Sequence, residues 1–325
     1  MLKRRSLLTG AGACVGLAAA APCWSQTAAW PTRPLRIVVP FPPGGPVDAL
    51  ARTLAQKLSE SLAQTVIVDN KAGANSVLGS DAVAKSAADG STFLLNAGNL
   101  VINHHLLKTP YHFQNDFAPV ALLAKGALIV TVNNDVKAAD LRELVALARA
   151  QPGKLNFAIG SVGSASHIAT ELLKRRTGAD LFIVAYKGST PAYQDLIGGQ
   201  VQGFVEPALG AMPLVKGGRI RALAVTSSKR ITSLPDVPTV SESGAPGFEF
   251  YSWYGLWAPA GTPREIVQRL NSEVNRILAA AELKDRLAAQ GFDTQSGSAE
   301  DFVRWLRDED KAIGQIIRDA NIKAE

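Results

Sequence analysis

The chain has 325 residues, and its 34 Lys and Arg residues against 28 Asp and Glu residues give a net charge of +6. Lys3, Arg4 and Arg5 account for half of that charge, and the remainder is dispersed along the chain. No basic run is interleaved with aromatic residues, which excludes a nucleic-acid-binding function on composition and charge.

Residues 1–26 have the pattern of an export signal peptide, a basic start followed by an apolar run over 7–21. The Arg4-Arg5 pair is compatible with both the general secretory route and the twin-arginine route. A membrane anchor is the alternative, but the run is shorter than the ~20 residues that a spanning helix needs. We therefore expect a cleaved chain in the periplasm.

The two cysteines lie inside or beside this segment, at Cys14 and Cys23. The mature chain is therefore expected to form no disulfide and to depend on its apolar core. A chain of this length can bury a sizeable core, usually as two domains.

Downstream, short apolar strands alternate with amphipathic helices. The first series has strands at 35–40, 66–69 and 92–95, helices at 47–62 and 76–86, and a long β-rich stretch at 121–132. The second has helices at 140–150, 165–176 and 191–198 and strands at 155–159, 181–185, 201–205 and 221–226. This alternation predicts an α/β fold in two similar blocks, each a sheet with helices on both faces.

A Pro-rich connection over 233–248 leads to an aromatic strand at 250–257 and then to two helices. The first is predicted to begin with a capping box formed by Thr262 and Glu265, with Pro263 at the first helical position. The last is predicted to begin near Ala299.

Four strand-to-helix junctions carry Gly, Ser, Pro or Asn, at 41–45, 71–76, 160–166 and 186–190. Ligands of open α/β sheets bind beyond the carboxyl ends of strands, and backbone amides at helix starts favour anions. The alternative is that these residues only form turns and caps. The candidate ligand-binding residues of these junctions are Phe41, Pro43, Gly44, Gly45, Asp48, Asn75, Ser161, Gly163, Ser164, Ser166, His167, Tyr186, Lys187 and Gly188.

Three of these residues have a second interpretation. Asp48 in a first helical turn also complements the helix dipole, His167 also suits a capping or packing role, and Lys187 also suits a solvated position. Asn96 and Asn99 add amides able to bind a polar substituent, and Glu206 at a strand end is a candidate buried acid.

Enzyme and metal signatures are absent from the sequence. The glycines at 10, 12 and 16 lie in the signal segment with no strand before them, and no G-x-S-x-G nucleophile elbow occurs. None of the histidines, His104, His105, His112 and His167, has a partner at zinc-site spacing. We predict no catalytic residue, no metal and no cofactor.

Ordered motifs along the mature chain resemble the Bug receptors, the solute-binding components of tripartite tricarboxylate transporters. The motifs are 40–45 (PFPPGG), 88–92 (ADGST), 163–167 (GSASH), 186–189 (YKGS), 196–201 (LIGGQV), 221–227 (RALAVTS), 234–240 (LPDVPTV) and 253–255 (WYG).

The resemblance implies a two-lobed periplasmic-binding-protein fold, flytrap-like and of type II, in which the lobes close around an organic acid. It implies lobe 1 at 27–126 plus 228–325 and lobe 2 at 127–227. Loop amides, hydroxyls and water would hold the carboxylate. The sequence departs from the family after 201, where Val205-Glu206-Pro207 stands in place of the usual Phe-Asp-Asn, so Glu206 would shrink the pocket or favour a ligand with an amine or a hydroxyl.

The expected function is capture of a small organic acid, a mono-, di- or tricarboxylate, aromatic or not, for uptake by a tripartite tricarboxylate transporter. The expected partners are the ligand and the membrane permease subunits, and the expected state is a monomer. The alternative is a periplasmic sensor module that reports a carboxylate to a signalling partner without import.

Overall fold

The computed structural model describes residues 30–323, so the predicted signal peptide and both cysteines lie outside the described residues. Its strands are β1 (Leu35–Val39), β2 (Val66–Asn70), β3 (Thr92–Ala97), β4 (Phe117–Val132), β5 (Leu155–Ile159), β6 (Leu181–Ala185), β7 (Gly203–Pro207), β8 (Arg221–Val225), β9 (Tyr251–Pro259) and β10 (Phe292–Thr294).

The helices alternate with these strands. They are α1 (Pro46–Leu62), α2 (Val77–Ala84), α3 (Asn99–Leu106), α4 (Leu141–Ala150), α5 (Ala165–Thr177), α6 (Ser189–Ile197), α7 (Ala208–Lys216), α8 (Arg264–Leu278), α9 (Ala281–Ala288) and α10 (Ala299–Asp319). Within residues 30–323, no helix combines the length and the hydropathy that crossing a membrane requires.

Two sheets share one long strand. In the first sheet the order is β2-β1-β3-β9-β4, and in the second it is β4-β7-β5-β6, with β10 and β8 each pairing with β4. The first eleven residues of β4, Phe117 to Ala127, follow the antiparallel partner β9, whereas Leu128 to Val132 pair with β7. The chain therefore passes from one lobe to the other inside a continuous strand.

Each sheet is covered on both faces, which explains why the strands are almost wholly apolar. In the first lobe, α1 and α8 cover one face with residues such as Leu54 and Leu270, and Trp257 and Phe302 pack on the other. In the second lobe the two faces belong to separate clusters, one around Phe157 and one around Phe204. The predicted α/β fold with helices on both faces is confirmed.

The lobe boundaries remain a prediction, and the packing bears on them at two places. Val240 and Phe248, from the segment that the sequence assigns to lobe 1, belong to the same apolar cluster as Phe157 of the second sheet. The end of α10 joins that cluster too, through Ile313 and Ile317.

Helix starts show where local sequence signals compete. The prediction of a Thr262 capping box is wrong, because the Thr262 hydroxyl donates to the Pro259 carbonyl and α8 begins at Arg264 with no side-chain cap. The capping box lies instead at α10, where the Ser298 hydroxyl accepts from the Asp301 amide and the Asp301 carboxylate accepts from the Ser298 amide.

Candidate ligand-binding site

A cavity of about 60 Å³ lies between the two lobes. Helix starts supply much of its lining, those of α1 and α3 from the first lobe and those of α5 and α6 from the second, and Pro207 just before α7 also lines it. Its lining consists of Phe41, Pro42, Gly45, Pro46, Val47, Ala97, Asn99, Gly160, Ser161, Ser164, Ala165, Ser166, Gly188, Ser189, Thr190, Glu206, Pro207, Ser252 and Tyr254. Because helix N-termini carry partial positive charge, this arrangement suits an anion.

The loop between β1 and α1 is held from behind by Asp48. Its Oδ2 accepts from the Gly44 amide at 2.9 Å and from Arg52 Nε at 2.9 Å, and its Oδ1 accepts from Asn70 Nδ2 at 2.9 Å. Burial alone would raise the pKa of Asp48, but the hydrogen bonds from Arg52, Gly44 and Asn70 have the larger combined effect. The pKa of Asp48 is therefore below its ordinary value. Asp48 therefore fixes the loop as a carboxylate and does not line the cavity.

The loop between β5 and α5 contributes hydroxyl groups. Ser164 caps α5, its Oγ accepting from the His167 amide at 3.3 Å and donating to the Ser161 carbonyl at 2.6 Å. Ser166 Oγ accepts from the Gly160 amide at 2.9 Å. His167 points back into the loop, with Nδ1 accepting from the Gly163 amide at 3.2 Å, and burial lowers the pKa of its ring.

The loop between β6 and α6 supplies Gly188 and Ser189, and β7 supplies Glu206 beside them. The Ser189 hydroxyl donates to Glu206 Oε1. Burial raises the pKa of Glu206 to about 8, although hydrogen bonds from Ser189 and Ser166 act in the opposite direction. Tyr186 faces elsewhere, since its hydroxyl donates to Asp195 Oδ2 at 2.6 Å.

The two lobes touch across the cavity. Asn99 Nδ2 of the first lobe donates to Ser161 Oγ of the second at 3.3 Å. At Gly163, with a φ of +69°, an added Cβ would lie 2.7 Å from Asn103 Oδ1, and at Gly188 it would lie 3.1 Å from Pro42 Cδ. Glycine is therefore required at Gly163 both by the backbone and by the approach of the opposite lobe.

Wider openings adjoin the cavity on both sides. One, lined by Asn75 and Lys187 among others, lies between the first-lobe loops and the β6–α6 loop. The other has Gly44 and helices α1, α6, α7 and α9 around it and is largely apolar. The cavity is thus the narrow middle of a longer interlobe cleft.

The structure brings eight of the candidate residues into the cavity lining. They are Phe41, Gly45, Asn99, Ser161, Ser164, Ser166, Gly188 and Glu206. Asn75, Lys187 and Gly44 line the adjoining openings, and Pro43 is exposed. Four further candidates lie outside the cavity lining, namely Asp48, Gly163, His167 and Tyr186. Asn96 is buried and donates to Ser80 Oγ at 3.1 Å.

Sequence reasoning missed several lining residues. Ser189 and Thr190 lie in a junction that the sequence singled out, and a hydroxyl pair at a helix start was an available signal. Ser252 and Tyr254 come from β9, where three hydroxyl side chains on an otherwise apolar strand were the only signal. Within residues 30–323, no group of three or more His, Cys, Asp or Glu side chains is placed to hold a metal ion.

Known proteins share this architecture and sequence. The family described as tripartite tricarboxylate transporter family receptor, TctC, matches residues 50–322. The protein named BugT from Bordetella pertussis is 38% identical over 94% of this chain and 94% of its own length. A UPF0065 protein from the tcbD-tcbE intergenic region of Pseudomonas sp. strain P51 is 41% identical over 91% of this chain and 89% of its own.

Solved structures agree with these sequence matches. Rpa4515 of R. palustris, solved with adipate, superposes with a TM-score of 0.88 at 35% identity, covering 90% of this chain and 99% of that one. MatC from Rhodopseudomonas palustris, with bound malate, gives a TM-score of 0.84 at 31% identity, covering 89% and 100%. The matched family is a family of receptors, not of enzymes. With the family model matched over most of its length, this chain belongs to the TctC family of tripartite tricarboxylate transporter receptors.

Proposed function

We propose that this chain captures a small organic acid in the interlobe cavity and presents it to the permease subunits of a tripartite transporter. The observation that carries the proposal is that helix starts from both lobes, those of α1, α3, α5 and α6, line one cavity. Amides and hydroxyls gathered at such termini form an anion site without a cationic side chain.

The lining supports this choice of ligand. Among the described residues that line the cavity there is no Lys, Arg or His, so a carboxylate would be held by backbone amides and by Ser hydroxyls. Relatives solved with adipate and with malate bind carboxylic acids in the same architecture. The cellular setting we propose is the periplasm after export, as a monomer, with lobe 1 at 27–126 plus 228–325 and lobe 2 at 127–227.

Two glycines with the same backbone geometry allow a matched test. Gly163 and Gly153 both have a φ of +69°, but an added Cβ meets Asn103 at Gly163 and nothing within 4 Å at Gly153. Backbone strain should therefore be equal in Gly163→Ala and Gly153→Ala, and only the first should hold the lobes apart. Since apparent affinity scales with the closed population, Gly163→Ala should weaken binding by roughly tenfold or more.

The measurement is isothermal titration of the purified mature chain with a panel of organic acids that includes adipate and malate. Wild type and Gly153→Ala should bind the same acid with affinities within about twofold. Lys187→Ala serves as a second control, because Lys187 lines only the adjoining opening. The proposal fails if no organic acid binds, or if Gly163→Ala binds as tightly as Gly153→Ala.

A further inference from the structure

Glu206 is the one acidic or basic side chain among the described residues that line the cavity. It lies on β7, opposite Ile129 of β4 in the register, and is 3% exposed. A carboxylate buried this deeply needs hydrogen-bond donors or a cation nearby. The cavity lining supplies donors and no cation.

The donors to Glu206 come from the second-lobe helix starts. Ser189, the first residue of α6, donates to Oε1, and the hydroxyl of Ser166 in the first turn of α5 acts with it to lower the pKa of the carboxyl group. The Glu206 carboxyl group therefore occupies the anion position that these two helix starts create. Within the part of the chain that the structure describes, the helix starts of the first lobe, by contrast, place no carboxylate in the cavity lining, because Asp48 in the first turn of α1 lies outside the lining and is bound by the Gly44 amide and Arg52.

The first lobe adds an unused polar group to the lining. Tyr254 is buried on β9, lines the cavity, and its hydroxyl has no hydrogen-bond partner within residues 30–323. Burial, with Glu206 nearby, raises the pKa of Tyr254, so its hydroxyl is neutral and can donate or accept. A ligand therefore meets the α1 start, a phenol and the Glu206 carboxyl group.

We propose that Glu206 selects ligands that carry one carboxylate and, away from it, a hydrogen-bond donor, either a hydroxyl or an ammonium group. This inference rests on the proposed function of the cavity as an organic-acid site. The ligand carboxylate lies toward α1, and the donor lies against Glu206. A second ligand carboxylate at that place would stand beside a buried like charge, which disfavours it.

The preference for a donor holds in both protonation states of Glu206, because its carboxyl group offers an acceptor oxygen whether it is ionised or neutral. The discrimination against a second carboxylate requires the ionised form, because a protonated carboxyl group can donate to a ligand carboxylate. The cavity has a volume of about 60 Å³ and adjoins wider openings. Because one water needs roughly 10–15 Å³, the cavity itself takes on the order of five water-sized groups, so short acids are the first ligands to test.

Two matched sets of acids test this by isothermal titration at pH 9, where Glu206 is ionised and the ligand amines are still largely protonated. The four-carbon set is succinate, butyrate, 4-hydroxybutyrate and 4-aminobutyrate, and the three-carbon set is malonate, propionate, 3-hydroxypropionate and β-alanine. In at least one set, the donor-bearing monocarboxylates should bind about tenfold or more tighter than the dicarboxylate and the unsubstituted acid. The hydroxyl and amine members of each set show which of the two donors the site takes.

The variant Glu206→Gln keeps the size of the side chain and removes its charge. It should gain affinity for the dicarboxylate and lose affinity for the ammonium ligand, each by about tenfold, so that the wild-type preference disappears. Glu309→Gln is the matched control, because Glu309 is a half-buried acid that accepts a hydrogen bond from Trp253 Nε1 at 2.8 Å and lies outside the cavity lining. It should keep the wild-type preference.

Several results would overturn the inference. The inference is wrong if succinate or malonate binds to wild type as tightly as the donor-bearing acid of the same length. It is also wrong if Glu206→Gln keeps the wild-type preference. Either result leaves the proposed function intact, since an organic acid still binds. If no carboxylate from this panel or from the adipate and malate panel binds, the proposed function fails and the inference fails with it. The wild-type comparison holds even if the variant does not fold.

Discussion

Glu206→Gln is also expected to change how the stability of the ligand-free protein depends on pH. The pKa of Glu206 is about 8 in the folded chain, against an ordinary value of 4.5. Between those values the folded state holds a proton that the unfolded state has lost, so wild-type stability falls as pH rises through this window. Glu206→Gln lacks this loss. The free energy of unfolding of the variant should therefore rise relative to that of wild type from pH 5 to pH 9.

The size of this rise follows from the pKa difference. At about 1.36 kcal/mol per pKa unit, the shift between 4.5 and about 8 corresponds to about 5 kcal/mol once Glu206 is fully ionised. That is as large as the whole unfolding free energy of some domains, about 5–15 kcal/mol. Even a fraction of it is measurable.

The assay is urea unfolding followed by tryptophan fluorescence at pH 5, 6, 7, 8 and 9, without ligand. Glu242→Gln provides a control of opposite sign, because hydrogen bonds from the Thr239 amide and Arg230 lower the pKa of Glu242. A lowered pKa stabilises the fold above the ordinary value, so Glu242→Gln should lose stability at neutral pH and match wild type at low pH. Parallel stability curves for wild type and Glu206→Gln from pH 5 to 9 would refute the assignment of a raised pKa to Glu206.

Three further outcomes are expected. Ser298→Ala removes the capping box of α10 and should lower the free energy of unfolding by about 1 kcal/mol in urea titrations, and an unchanged midpoint would contradict the role of the cap. Asn99→Ala removes the hydrogen bond to Ser161 across the cavity and should raise the dissociation constant about three- to tenfold by calorimetry; equal affinity would show that this contact does not hold the closed state. Saturating wild type with a confirmed ligand should lower the radius of gyration in small-angle scattering, and an unchanged radius would place the site within one lobe.

Much of the fold follows from local patterns. The apolar run of β1 and the helical spacing of α1 and α5 predict those elements within a few residues of their observed bounds. Capping was less predictable, because Thr262 can bond either to a helix amide or to a nearby carbonyl, and the Pro259 carbonyl is the partner in the structure. Hydroxyl side chains have several local partners of similar strength, so sequence alone does not choose between them.

The site was predictable where a loop at a helix start supplies it, as with Gly45, Ser164 and Gly188. It was not predictable where a distant strand supplies it. Tyr254 reaches the cavity because β9 pairs with both β3 and β4, and that pairing joins segments more than a hundred residues apart. Asp48 shows the converse, since it lies in a first helical turn near the cavity yet Arg52 and Asn70 turn it away from the ligand position.

The shared strand β4 also constrains how the length of the chain can vary in evolution. Its pairing passes from β9 at Ala127 to β7 at Leu128 without a break. Successive side chains of a strand point to opposite faces of the sheet. If one residue were inserted at that point and one lobe kept its register, the side chains of β4 in the other lobe would change faces, and those that face its core would point outward. Homologous chains are therefore expected to vary in length in surface loops such as 151–154 and to keep the strand 117–132 free of insertions and deletions.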